Sequence, residues 1–241
     1  MNTFFKYNIH EPFDANNEIP KIIMSTYPNK NKIPMKVFQN INTFASDYTY
    51  KVFDDNDIIH FLKTYYPPKV LTTFHQLKRG AHKADLFRYC YLYQFGGIYL
   101  DIKTELIQDL TSIFDKKNVQ LYTVLSMHNG TIYQGIIGTV PKNPFFLKLI
   151  EHITNTPNPK KYFEFTKEFY DQLKIYYMTK ILKNGLTHDI KNNKYHLYLF
   201  QEKCSRNPDE CNDGLDRYKR CCFIYDNNKK IIKTRYSDYP W

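Results

Sequence analysis

The 241-residue sequence holds a single tryptophan, eight glycines and only six arginines. It has no run of about 20 apolar residues, which excludes a helical membrane span on hydropathy. Neither G-x-G-x-x-G nor G-x-x-x-x-G-K-[ST] occurs, so dinucleotide-fold and P-loop readings lack their main warrant. Met1 to Phe13 lacks the basic-then-apolar order of an export signal. Five cysteines in a chain without such a signal lead to the expectation of a reducing compartment and a soluble, cytoplasmic protein. Internal repeats, low-complexity blocks and long Gly/Ser linkers are missing as well. The expected organisation is an N-terminal arm over 1–18, a main domain over 19–200 and a cysteine-containing extension over 201–241 packed on that domain.

Positive charge and aromatic rings are plentiful. Lys and Arg total 34 against 24 acids, a net charge of +10, and there are 22 Tyr and 18 Phe. A basic surface attracts nucleic acid, membranes or a phosphorylated ligand, although dispersed, solvated lysines account for the same number. No basic-aromatic motif of known type supports a nucleic-acid partner, and none is expected.

Hydrophobic patterning places short strands at 20–27, 48–53, 97–102, 119–126 and 131–140. Helices are expected over 34–45, from an Asp54 cap to about Tyr65 with Pro67-Pro68 as its stop, over 80–94, from Asn143-Pro144 to about Ile153, and within 160–183. Cys221–Tyr225 and Lys230–Tyr236, joined by Asp226-Asn227-Asn228, read as a hairpin. Alternating strands and helices over 20–155 indicate an α/β fold with a mixed, mainly parallel sheet flanked by helices and a C-terminal β-hairpin segment.

The segment 82–105 is the most informative. Asp85 and Arg88, three apart on a helix, share a face. Gly96-Gly97 permit a sharp turn or a close approach. The following strand carries Asp101 to its C-terminal end, beyond which open α/β sheets bind ligands. Period-two alternation sends Tyr99, Asp101 and Lys103 to one side, with Leu100 and Ile102 toward the core. A surface ion pair, a plain helix cap and a solvated strand-end carboxylate fit the same residues.

The run Ala84-Asp85-Leu86-Phe87-Arg88-Tyr89, continuing through Phe95-Gly96-Gly97-Ile98-Tyr99-Leu100-Asp101, resembles the signature of the DXD-containing glycosyltransferases of the Och1-like family 32. That family has a GT-A fold and is similar to the large clostridial toxin transferases. Ile19–Ile23, Tyr48–Asp57, Tyr133–Ile137 and Pro141–Phe145 resemble its flanking elements, so the likeness covers about 19–155. It implies transfer of a hexose from a UDP- or GDP-sugar to a hydroxyl on a glycan or glycoprotein acceptor, with retention. It further implies that Asp85 and Arg88 hold donor-sugar hydroxyls, that Gly97 and Tyr99 lie beside the donor, and that Asp101 is the first DXD aspartate, which meets ribose, sugar and a Mn2+ or Mg2+ ion.

The sequence departs from that pattern at Lys103, which stands where the second DXD aspartate belongs. Three outcomes stay open: another acid completes a metal site, Lys103 replaces part of the metal's charge, or the chain binds sugar nucleotides without turning them over. A weakened metal dependence is the expectation adopted. Glu105 reaches the site only if the chain turns. In the C-terminal segment, Asp238 is the candidate second metal ligand and Trp241 the candidate platform for the base. Cys204, Cys211, Cys221 and Cys222 lack paired C-x-x-C spacing, leaving disulfide and zinc readings open.

Overall fold

The computed structural model describes residues 18–189, 196–211, 214–215 and 218–241; all but the last residue of the expected arm over 1–18 lies outside them. In the first half, β1 (Ile22–Thr26), α1 (Met35–Phe44), β2 (Thr49–Phe53), α2 (Asp55–Tyr65), α3 (Pro68–Gln76), α4 (Gly80–Phe95) and β3 (Gly97–Leu100) follow one another. Then come β4 (Glu105–Leu106), α5 (Leu110–Ile113), β5 (Val119–Leu125), β6 (Ile132–Thr139), α6 (Phe145–Asn155), α7 (Glu164–Tyr176), β7 (Gly185–Thr187), β8 (His196–Ser205), β9 (Cys221–Asp226) and β10 (Lys229–Lys233).

Local chemistry sets the boundaries. The Asp54 carboxylate accepts from the amides of Asn56 and Asp57, and Asp57 returns a bond to the Asp54 amide, a capping box that opens α2. Pro67-Pro68 ends that helix as expected. Pro68 also starts α3, which the sequence reading missed, because proline suits a first helical turn where its lost N–H has no partner anyway. The Asn143 side chain accepts from Phe145 N at 3.1 Å and opens α6. The helix expected within 160–183 spans only Glu164–Tyr176, and Met178 just beyond it adopts a left-handed φ of 51°.

The strands form one sheet in the order β2-β1-β3-β6-β5-β8-β9-β10-β4, with β7 beside β8. Pairing is parallel for β2-β1, β1-β3 and β5-β8. It is antiparallel at the other junctions, including the expected β9–β10 hairpin. Period-two alternation divides the side chains between two layers. Met24, Tyr99, Leu121, Ile137, Leu197 and Leu199 pack under α2, α3, α4, α6 and α7. Ile23, Ile98, Leu100, Tyr122, Ile136, Tyr198 and Phe200 pack on the opposite face with α1 and α5. No helix among the described residues is long and apolar enough to cross a membrane.

The reduced-cysteine expectation is corrected. Cys204 and Cys222 are direct partners in the β8–β9 register and form a disulfide. A second bond joins Cys211 to Cys221, while Cys90 is free and buried. Of the two readings the spacing left open, the strand register produces the disulfide, a bond that persists in oxidising surroundings.

Candidate functional site

Two elements deliver the site, and the double glycine joins them. Gly96 and Gly97 adopt φ of +63° and +94°. A Cβ on Gly97 would stand 2.7 Å from the Ile22 carbonyl oxygen, and one on Gly96 would stand 2.5 Å from Pro141 N. Only glycine lets α4 turn this sharply into β3 while β3 closes against β1. Gly97 therefore serves backbone packing, and it does not line the cavity beyond the strand ends.

That cavity measures about 960 Å³, at the upper end of the ~300–1,000 Å³ typical of ligand pockets. The structure brings Asp85, Arg88, Tyr99, Asp101 and Lys103 together in its wall. Asp85 and Arg88 are 6% and 5% exposed, although they are charged residues on a helix. Arg88 Nε donates to Ala84 O at 3.2 Å and Nη1 donates to Gln134 O. Its Nη2 lies 3.4 Å from Asp85 Oδ1 and 3.8 Å from Asp101 Oδ1. With a protein partner for every guanidinium nitrogen, Arg88 holds two carboxylates in place.

Asp101 terminates β3. Its amide donates to Gly135 O at 2.8 Å, and its carbonyl accepts from Thr104 N at 2.8 Å. That tight turn folds Lys103 back. Tyr99 Oη donates to Asp101 Oδ1 at 2.8 Å, and Lys103 Nζ donates to Oδ2. The three residues that alternation placed on one side thus meet at a single carboxylate. The same turn carries Glu105 away, to within 3.5 Å of Lys233.

Charge states follow from these contacts. Burial favours the neutral acid at Asp101, but Lys103 and Arg88 outweigh it and hold the carboxyl well below the usual range. At Asp85 burial wins over the attraction of Arg88 and His82, and its pKa rises. Burial opposes the charge on Arg88, yet Tyr99, Asp85 and Asp101 keep it firmly protonated. Burial also raises the Tyr99 phenol, which stays a donor.

The remaining expected residues stand apart. Asp238 pairs with Lys36 and accepts from Trp241 Nε1 at 3.3 Å. Trp241 packs on Tyr236 and Tyr239. Neither lines the cavity, whereas Tyr239 from the same segment does. Sequence reasoning passed over Gln134, His82, Arg220 and Arg235. The Gln134 amide, oriented so that both its atoms are paired, donates to Asp85 Oδ1 at 3.2 Å. His82 Nε2 lies 3.0 Å from Tyr162 O. Gln134 sits in the stretch 133–137 that already resembled a family strand, so position marked it. Arg220 and Arg235 reach the wall through the C-terminal hairpin and carry no local signal.

The residues present do not fit a divalent cation. Both oxygens of Asp101 are engaged, one by a phenol and one by an ammonium, and the nearest acid, Asp85, is held by Arg88 and Gln134. Glu202 Oε2 accepts from Ser126 Oγ and Met127 N, both at 3.0 Å. Among the described residues one set of three possible ligand residues converges, Glu202 with Cys204 and Cys222, and its sulfurs are joined in a disulfide.

Residues 32–120 match the family model described as "Glycosyltransferase sugar-binding region containing DXD motif". The chain is 33% identical over 138 residues to mannosyl phosphorylinositol ceramide synthase CSH1 of Saccharomyces cerevisiae, a match covering 56% of this chain and 35% of the relative. It is 28% identical over 213 residues to the uncharacterized glycosyltransferase L373 of Acanthamoeba polyphaga mimivirus, covering 79% and 80% respectively. The chain thus spans about a third of the length of the yeast relative and most of the viral one. Among solved structures, the PaToxG glycosyltransferase superposes with a TM-score of 0.50 at 16% identity, covering 65% of this chain and 68% of that one, a likeness of fold. The matched stretch 32–120 includes Asp85, Arg88 and Asp101.

Proposed function

We propose that this protein is a glycosyltransferase that moves a hexose from a UDP- or GDP-sugar to a hydroxyl of a glycan acceptor, with retention at the anomeric carbon. The observation that carries the reading is the convergence of Asp85, Arg88, Tyr99, Asp101 and Lys103 in one cavity wall at the C-terminal end of β3. Asp85 accepts hydrogen bonds from sugar hydroxyls. Arg88 and Gln134 fix its orientation, so no reorganisation is needed when the donor binds. Asp101, ionised throughout the working pH range, accepts from the ribose or the sugar. In the reaction, the bond from the anomeric carbon to the β-phosphate oxygen breaks and its electron pair stays on the diphosphate. A bond to the acceptor oxygen forms, and the hydroxyl proton is released. Fixed charge aimed at the departing diphosphate is the main source of rate.

A second reading is motivated by Lys103 on the Asp101 carboxylate: a protein that binds sugar nucleotides without turnover. Release of UDP or GDP from a panel of sugar nucleotides separates the two. The transferase reading expects slow hydrolysis without acceptor, faster release with it, and loss of both in Asp101→Ala. Binding by calorimetry with no release from any donor selects the second reading.

A further inference from the structure

Every exposed isoleucine or leucine among the described residues lies in one stretch just beyond the cavity helix α7. Ile175, Ile181 and Leu186 are 66%, 64% and 47% exposed, and Met178 between them is 60% exposed. The stretch is built, not frayed. Thr179 N donates to Lys174 O at 3.0 Å, Met178 N to Ile175 O at 3.3 Å, and Thr179 Oγ1 to Ile181 O at 2.9 Å, which folds the chain back as α7 ends. Leu173, Tyr177 and Leu182 bury their side chains in the core beneath it. Asn184 Nδ2 donates to Leu199 O at 2.7 Å and ties the far end to β8. Leu186 follows on β7, which lies beside β8 off the main strand order. Inward side chains thus anchor an ordered turn, and four apolar side chains stay in water, where each has a cost that no fold contact offsets.

The charge in the same stretch has one sign. Lys174, Lys180 and Lys183 alternate with the apolar residues, and no acid occurs from Gln172 to His188. Lys180 and Lys183 are exposed. The acids at either end are withdrawn: Asp171 pairs with Lys167 and Lys174, and Asp189 is buried. Exposed aliphatic side chains set among lysines suit the boundary of an anionic bilayer, where acyl chains take the former and headgroups the latter. A nucleic-acid backbone would use the lysines but leave four aliphatic side chains in water.

We infer that residues 174–186 form a membrane-contact surface. Ile175, Met178, Ile181 and Leu186 enter the boundary between headgroups and acyl chains, and Lys174, Lys180 and Lys183 meet the anionic headgroups. This is contact with a bilayer surface and requires no spanning segment. It stands apart from the sugar-nucleotide reading. Thr166, in the first turns of α7, lines the cavity, whereas Ile175 lies nine residues on, about 14 Å along the helix axis. The contact surface and the cavity therefore occupy opposite ends of one helix.

The probes are vesicles of phosphatidylcholine alone and of phosphatidylcholine mixed with phosphatidylserine, sedimented with the whole chain. The expected result is binding to the mixed vesicles at least about tenfold tighter than to phosphatidylcholine, weakened as salt rises from about 0.1 M to about 1 M. Lys180→Gln with Lys183→Gln loses about 30-fold on the mixed vesicles. Lys51→Gln with Lys63→Gln, at two exposed lysines elsewhere, lowers the net charge equally and changes affinity less than about threefold. Met178→Asn with Ile181→Asn loses more than about tenfold, and asparagine tolerates the left-handed φ at 178. Thermal melts check the fold of each variant, and the wild-type comparison stands without them. No binding to the mixed vesicles overturns the membrane surface and leaves the donor reading untouched. Equal losses in the two lysine pairs overturn it in favour of diffuse charge. Dimerisation in analytical ultracentrifugation that Met178→Asn with Ile181→Asn abolishes, without vesicle binding, assigns the patch to a second copy of the chain instead.

Discussion

The guanidinium of Arg88 lies 4.1 Å from the centroid of the Tyr99 ring. One residue comes from the helix before the double glycine, the other from the strand after it. The stacked ring, two carboxylates and two carbonyls together surround a buried cation whose planar fork is matched on every edge. Lysine offers a point charge with no plane to stack and no fork to bridge Asp85 and Asp101. Arg88→Lys is therefore expected to reduce donor turnover about 100-fold, the cost of displacing positioned groups by roughly an ångström. Initial rates of nucleotide release check this. Arg88→Ala leaves the buried Asp85 carboxylate without its ion-pair partner and should cost about 3–5 kcal/mol of stability in urea unfolding.

Gly97 tests the backbone argument separately from the chemistry. Any side chain there meets the Ile22 carbonyl at a φ that L residues avoid. Gly97→Ala should destabilise by about 1–3 kcal/mol, by prising β3 from β1. Gly80 is the control: its added Cβ meets nothing within 4 Å at the first position of α4. Gly80→Ala should be neutral or stabilise by up to about 1 kcal/mol. Thermal melts of the two variants should move in opposite directions, and equal losses would refute the contact at Ile22.

Much of this was legible in the sequence because the informative chemistry is local. Helix α4, the double glycine and Asp101 lie within 22 residues, so spacing alone placed Asp85 with Arg88 and Tyr99 with Asp101. The β9–β10 hairpin was legible for the same reason. What escaped reading depends on contacts distant in sequence. Asp238 and Trp241 carried the right chemistry for a metal ligand and a base platform, but Lys36 on α1 holds the tail where Asp238 pairs with it. Strand β8 has apolar side chains on both faces at Leu197–Phe200 and so shows no alternation. The Cys204–Cys222 disulfide depends on the β8–β9 register, which no cysteine spacing encodes.

Thiol titration examines that register directly. Denatured, unreduced protein should show one reactive thiol per chain, from Cys90, and five after reduction. The Cys204–Cys222 bond closes a loop with a sequence separation of 18. Removing it as a double alanine variant should cost about 3 kcal/mol, a fall in Tm of roughly 6–12 °C for a chain of this size. Five thiols before reduction, in protein prepared under oxidising conditions, would contradict the pairing.

The Lys103–Asp101 pair makes its contribution to stability depend on pH in a definite direction. Asp101 is held below the ordinary carboxylate value in the folded protein, because Lys103 and Arg88 outweigh its burial. A group depressed on folding stabilises above its unfolded value, about 3.9, and loses that contribution as pH falls through its folded value. Lys103→Met removes the larger of the two attractions and leaves burial opposed by Arg88 and Tyr99 alone. The variant should be less stable than the wild type by about 1.5–3 kcal/mol at pH 7, the range for a hydrogen bond to a charged group. The difference should hold down to about pH 4 and shrink below it, as the unfolded chain takes up the proton that the folded one resists. Urea midpoints of both proteins from pH 7 to pH 3 measure it. A gap that widens on acidification would show that Lys103 does not hold Asp101 ionised.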